Sequence, residues 1–142
     1  MADVRTKRAF TDGDLFLRHL TPTHVDSNGK LLPTAFDHRL GKDNYLSYTL
    51  REGDLLNNET LPEYISYYPL RRGHIGLCEI KHSEFCNDLN PPRPPRYEEV
   101  PESNRFSYLH CGTDLMEDFE HRERLAAIAR KRPLLIPPVR KN

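Results

Sequence analysis

Apolar residues recur along the chain in short blocks, and the period inside each block predicts the element it forms. Phe16, Arg18 and Leu20 alternate with Leu15, Leu17 and His19, a period of two that predicts a strand over 15–20. Asn28-Gly29, set between Val25 and Leu31-Leu32, is a tight-turn signal. Tyr45, Ser47 and Thr49 fall on one side of the next block and Leu46, Tyr48 and Leu50 on the other, as in a half-buried strand. Ile75 to Ile80 is rich in strand formers, a polar turn or short helix follows from Ser83 to Leu89, and Phe106 to Cys111 returns to strand character.

Helix signals are fewer. Thr60 with Glu63 resembles a capping box for a short helix over 61–68 that Pro69 stops. Thr113 or Asp114 can cap a longer helix running to about Lys131, with Leu115, Phe119, Leu125, Ile128 and Ala129 near one face. Arg130, Lys131 and Arg132 then lie where the helix dipole favours cations, and Pro133 ends the segment.

Proline shapes the rest. Pro91-Pro92-Arg93-Pro94-Pro95 and Pro101 make 90–104 an extended surface excursion, because proline fixes φ and lacks a donor. Residues 1–12 are expected to be a flexible N-terminus, and 133–142 a tail whose Leu134-Leu135-Ile136 is apolar enough to dock. The pattern predicts a single α+β domain over 1–142: a small, mainly antiparallel sheet with a short helix and a long C-terminal helix packed on it.

Composition narrows this picture. At 142 residues the chain suits one core; its 37% hydrophobic content and mean hydropathy of -0.75 make that core modest. Lys plus Arg equals Asp plus Glu at 21 each, so no bulk field draws the chain to nucleic acid or a membrane. There is no signal-peptide pattern near Met1 and no run near the ~20 apolar residues of a membrane span, so a cytoplasmic protein is expected. Three cysteines without framework spacing fit a reducing compartment.

His74, Cys78, His82 and Cys86 recur at four-residue intervals and resemble a metal site until geometry is applied. On one helix they would spread over about 18 Å, and on a strand even His74 and Cys78 would stand roughly 13 Å apart, beyond the reach of one zinc ion. Only a local pair such as His82 with Cys86 could bind, completed by His110 or Cys111 from a neighbouring strand. Zinc is therefore not expected, and Cys78 and Cys111 read as small buried hydrophobes. His19-Leu-Thr21 has the alternation of two-histidine phosphoesterases, whose histidines act as acid and base on a phosphodiester. The second copy fails, because His110-Cys-Gly-Thr113 places its threonine one residue late. Arg71-Arg72 and Arg93 with Arg96 could touch phosphate, or remain solvated charge.

The blocks Phe16 to Pro22, Asn28 to Phe36 and Tyr45 to Tyr48 resemble a small prokaryotic protein family whose members carry no assigned activity. More remotely, a histidine strand, a glycine turn, a serine strand and Leu77-Cys-Glu-Ile80 leading to Ser83-Glu84-Phe85 are similar in order to compact ADP-ribosyltransferase-like domains, including RNA 2′-phosphotransferases. That resemblance implies NAD as cofactor, with Arg18 or His19 holding the dinucleotide and Ser47 or Tyr48 at the second-strand position. Glu84 and Glu102 are the candidates for its carboxylate.

Two functions follow. The first is a non-catalytic interaction or accessory subunit of a prokaryotic multi-protein system, of the defence or toxin kind, meeting a protein partner through the proline-rich segment or the apolar tail. The alternative is an ADP-ribosyltransferase-like enzyme acting on NAD or a nucleic-acid phosphate, with a two-histidine phosphoesterase behind it. For an enzyme, His19, Ser47 and His110 are the catalytic candidates, and Arg18, Thr21 and Tyr48 the cofactor-binding ones.

Overall fold

The computed structural model describes residues 9–37, 45–51, 76–98, 109–114 and 119–134. The expected 61–68 helix, Arg71-Arg72, His74 and Glu102 lie outside these residues. Five strands, β1 (Leu15–Leu20), β2 (Tyr45–Leu50), β3 (Gly76–Lys81), β4 (Arg96–Tyr97) and β5 (His110–Asp114), form one sheet in the order β3-β1-β2-β5-β4. Every neighbouring pair is antiparallel. Helix α1 (His82–Asn87) follows β3 directly, and α2 (Phe119–Ala129) follows β5. The α+β class and antiparallel sheet agree with the hydropathy pattern.

The pleat sorts residues by parity. Phe16, Leu20, Leu46, Tyr48, Leu50 and Ile80 point to one face, where all are buried. Phe85 of α1 packs edge-on against Phe16 and Tyr48 there, with ring centroids 5.9 and 5.1 Å away. The 3-10 turn Pro33–Phe36 buries Ala35 and Phe36, and α2 packs against this turn through a face that includes Leu125 and Ile128. Phe10 stacks against Phe16 and Tyr97, so the described end of the N-terminal segment belongs to the core.

The described residues refine the expected boundaries. Thr113 and Asp114 extend β5, with Leu46 and Tyr45 of β2 as their ladder partners. Among the described residues helix α2 spans Phe119–Ala129 and stops two residues short of the expected Lys131. Phe119 sits in its first turn, well before the first buried position Leu125, and is 56% exposed. Within the proline-rich excursion, Arg96 and Tyr97 form edge strand β4 against Gly112 and Cys111.

The Asn28-Gly29 turn is present. Gly29 adopts φ of +79°, which suits a residue without Cβ, and Val25 bridges Leu31. Asp26 closes the turn with its carboxylate, accepting the N–H groups of Asn28 at 2.8 Å and Lys30 at 2.9 Å.

Candidate functional site

The sheet register decides which candidate residues can act together. His19, Ser47 and His110 all point to the face opposite the aromatic core, while Arg18 and Tyr48 point into it. Ser47 stands opposite Gly112, and His110 opposite Thr49, so Ser47 and His110 are diagonal neighbours on adjoining strands. His19, Ser47 and His110 thus lie across the sheet from Arg18 and Tyr48. Thr21 follows β1 and precedes the 3-10 turn Pro22–His24; its hydroxyl shares a hydrogen bond with that of Thr23 at 2.9 Å, while its N–H donates to His24 Nδ1 at 3.0 Å.

On the polar face, the Tyr45 ring lies over Gly112. A Cβ at residue 112 would collide with Tyr45 Cδ2 and come within 3.0 Å of Tyr45 Cγ and Glu98 Cγ, so glycine here permits the close approach. The Tyr45 hydroxyl then meets His110 Nε2 at 3.0 Å, and the rings stand nearly perpendicular at 72°. Arg51 holds Glu79 at 2.7 Å on this face, and Arg96 bridges Glu98 at 2.6 Å and Asp114 at 2.8 Å. These carboxylates are therefore engaged in ion pairs.

Arg18 is enclosed on the core face. Its Nε donates to the Ala35 carbonyl at 2.6 Å and Nη1 to the Ser47 carbonyl at 2.9 Å. The guanidinium carbon lies 5.7 Å from the Phe36 ring centre and 5.6 Å from that of Tyr48. The paired register between β1 and β2 ends at Leu17 and Thr49, and Arg18 tethers the strands beyond that point. Burial raises the Tyr48 phenol far above its usual range against the pull of Arg18, so Tyr48 is a neutral core residue. Its hydroxyl and that of Thr113 are both buried on this face.

The cysteine and histidine repeat straddles two elements. Cys78 is buried on β3, whereas His82 and Cys86 share one turn of α1, with the sulfur 3.8 Å from Nδ1. Burial pushes the Cys78 thiol up to about 12, and burial with the Asp12 charge also raises Cys86. Neither is an activated nucleophile. Cys111 is buried and donates its thiol to the Leu109 carbonyl at 3.4 Å. Among the described residues no three His, Cys, Asp or Glu side chains converge as a metal site would require.

The proline-rich loop is anchored at both ends. Leu89 and Pro95 are buried, Arg93 N–H donates to the Phe85 carbonyl at 2.9 Å, and β4 closes the segment. From α2, His121 Nε2 donates to the Asn90 carbonyl at 2.7 Å and Arg124 Nε to that of Asp88 at 3.2 Å. Pro91, Pro92 and Pro94 remain exposed between these anchors. His121 and Phe119 stand about 200° apart round the helix, so they project from different faces of α2, and the Phe119 ring lies instead against Arg122, which pairs with Asp37.

Sequence reasoning missed the Tyr45–His110 pair and the Arg18 tether. A glycine inside the fifth strand was the available signal for the first; nothing local signals the second. Comparison with protein-family models, with curated proteins and with solved structures gives no match to this chain.

Proposed function

We propose that this protein is a non-catalytic accessory subunit that engages a protein partner through the anchored proline loop and Phe119. The observation that carries the reading is Arg18: the arginine best placed by sequence to hold a dinucleotide is bonded to two backbone carbonyls between two aromatic rings. These bonds commit Nε and Nη1 to the backbone, so the planar fork that would grip a phosphate is turned to the strand and the 33–36 turn instead. The division of His19, Ser47 and His110 from Arg18 and Tyr48 also argues against one NAD pocket, since a reacting centre needs its groups converging on one side.

The loop has what a recognition surface needs. Its exposed prolines are preorganised by φ and by the anchors at either end, so little ordering entropy is lost on binding. Phe119, the large hydrophobic residue most exposed among those described, supplies a second, separate apolar contact point. We read such a subunit as part of a prokaryotic multi-protein system, a reading that rests on the resemblance of the first third of the chain.

Native mass spectrometry of the protein purified from its host, with and without Phe119→Asp, tests the reading. A stoichiometric protein partner that is lost in Phe119→Asp supports it. Bound NAD or ADP-ribose, or NAD turnover abolished by His19→Ala or Ser47→Ala, overturns it in favour of the ADP-ribosyltransferase-like alternative.

A further inference from the structure

The proline loop carries one charge that the rest of the described fold does not use. Among the described arginines, Arg51, Arg96, Arg122 and Arg132 pair with carboxylates, and Arg18, Arg124 and Arg130 donate to backbone carbonyls. Arg93 does neither. Its side chain is half-buried, and its Nε is enclosed with no hydrogen-bond partner among the described residues. The backbone holds it in place: the Arg93 N–H donates to the Phe85 carbonyl at 2.9 Å, while Pro92 and Pro94 restrict the chain on either side.

Hydrogen-bonding capacity narrows what can meet this surface. Four of the five residues from Pro91 to Pro95 are prolines without an N–H, and the fifth spends its N–H inward on Phe85. The segment therefore offers the rings of Pro91, Pro92 and Pro94, carbonyl acceptors and the Arg93 guanidinium, but no backbone donor. A partner must bring apolar ring surface together with a side-chain donor. Tryptophan combines the two in one side chain, and aromatic-lined grooves read extended proline segments in this way. Against Arg93 the partner must set an acceptor of opposite charge, and because Nε is enclosed that acceptor meets the fork end-on, at the two Nη groups.

We infer that Arg93 is the selecting residue of the loop, and that the partner is a protein groove lined by tryptophan with a carboxylate beside it. The inference rests on the reading of the loop as a partner surface and adds the chemistry of what binds there. A nucleic acid fits less well, because a polyanion gains affinity by having several phosphates neutralised, and the next arginine, Arg96, is already held by Glu98 and Asp114. A strand from another chain fits less well too, since the segment has no outward N–H for a ladder.

Phenylglyoxal, which adds to guanidinium groups, tests the unclaimed charge on the full chain. Mass mapping is expected to find Arg93 modified before Arg96 and Arg132, and Arg93 labelled no faster than these overturns the inference. The partner chemistry is read on the complex purified from the host, by native mass spectrometry. Arg93→Glu is expected to lose the partner that the wild type retains, and Arg93→Lys to keep it at low salt and release it as salt is raised. Neither substitution removes the backbone bond to Phe85, and matching urea midpoints check that both variants fold. A partner retained by Arg93→Glu yet lost in Phe119→Asp overturns the carboxylate and leaves the partner surface standing; a partner lost in neither variant, or none at all, overturns both. Co-purifying nucleic acid that Arg93→Glu removes overturns the protein groove. The chain has no tryptophan, so indole fluorescence in the complex reports on the partner alone. That fluorescence is expected to shift on association, and an unchanged spectrum overturns the tryptophan lining.

Discussion

Tyr45 and His110 form a hydrogen-bonded pair across a rung that neither occupies. Tyr45 stands opposite Asp114 and His110 opposite Thr49, and between them lies the Ser47–Gly112 rung that the tyrosine ring crosses to place its hydroxyl 3.0 Å from Nε2. The bond exists because position 112 has no side chain.

Gly112→Ala is therefore expected to behave as overpacking. The methyl meets Tyr45 Cδ2 and the Glu98 stem, and the ring must lift away, at a cost of about 1–3 kcal/mol. Tyr45→Phe, which leaves the ring in place, is expected to lose only about 0.5–1.5 kcal/mol. Urea unfolding compares the two variants, and a Gly112→Ala less damaging than Tyr45→Phe contradicts the packing.

Removing the Arg18 tether is expected to weaken the join between β1 and β2. Hydrogen bonds from a charged donor are worth about 1.5–3 kcal/mol each where a buried partner is left unsatisfied, so Arg18→Met should lower stability by several kcal/mol. Arg18→Lys should not restore it, since a single ammonium cannot reproduce the planar fork that meets Ala35 and Ser47 together. Full stability in Arg18→Lys, read from the unfolding midpoint, would speak for charge alone.

Acid is expected to loosen the β3 edge through Glu84. Burial opposes its ionisation but is outweighed by the Arg132 hydrogen bond, the Lys81 N–H and the charges of Arg132 and Lys131, so its carboxyl is held below the usual 4.5. A carboxyl lowered by folding contributes stability that is present above the unfolded value and lost as pH falls through the folded one. Thermal melts should show this decline on going below about pH 4.5. Glu84→Gln should flatten it, and an identical slope in that variant assigns the decline to other carboxyls.

The three cysteines should separate by reactivity. Cys86 is only partly buried, whereas Cys78 and Cys111 are enclosed. Alkylation followed by mass mapping is expected to mark Cys86 first, slowly and faster at raised pH, with Cys78 and Cys111 modified only on unfolding. Rapid labelling of Cys78 in the native protein contradicts its place in the core.

Local periodicity made β1, β2 and β3 legible, because alternation of side chains is a property of the extended backbone itself. The Asn28-Gly29 turn was legible for a similar reason: glycine tolerates a positive φ that other residues resist. The fifth strand runs on to Thr113 and Asp114, past the expected Cys111, because Leu46 and Tyr45 offer ladder partners that no local pattern reveals. Of the candidate site, the parity of Arg18 against His19 could be read from one strand; the placing of His110 beside the Ser47 strand could not.

By itself, then, the amino-acid order determined the strand faces, the central turn and an α+β class, all of which depend on neighbours a few residues apart. Only the tertiary structure decided that Tyr45 covers Gly112, that Arg18 ties the 33–36 turn to β2, and that Arg132 crosses to Glu84 from 48 residues away. Each of these contacts depends on strand order and register, which are set by the sum of many weak cross-strand interactions and not by any short stretch of chain.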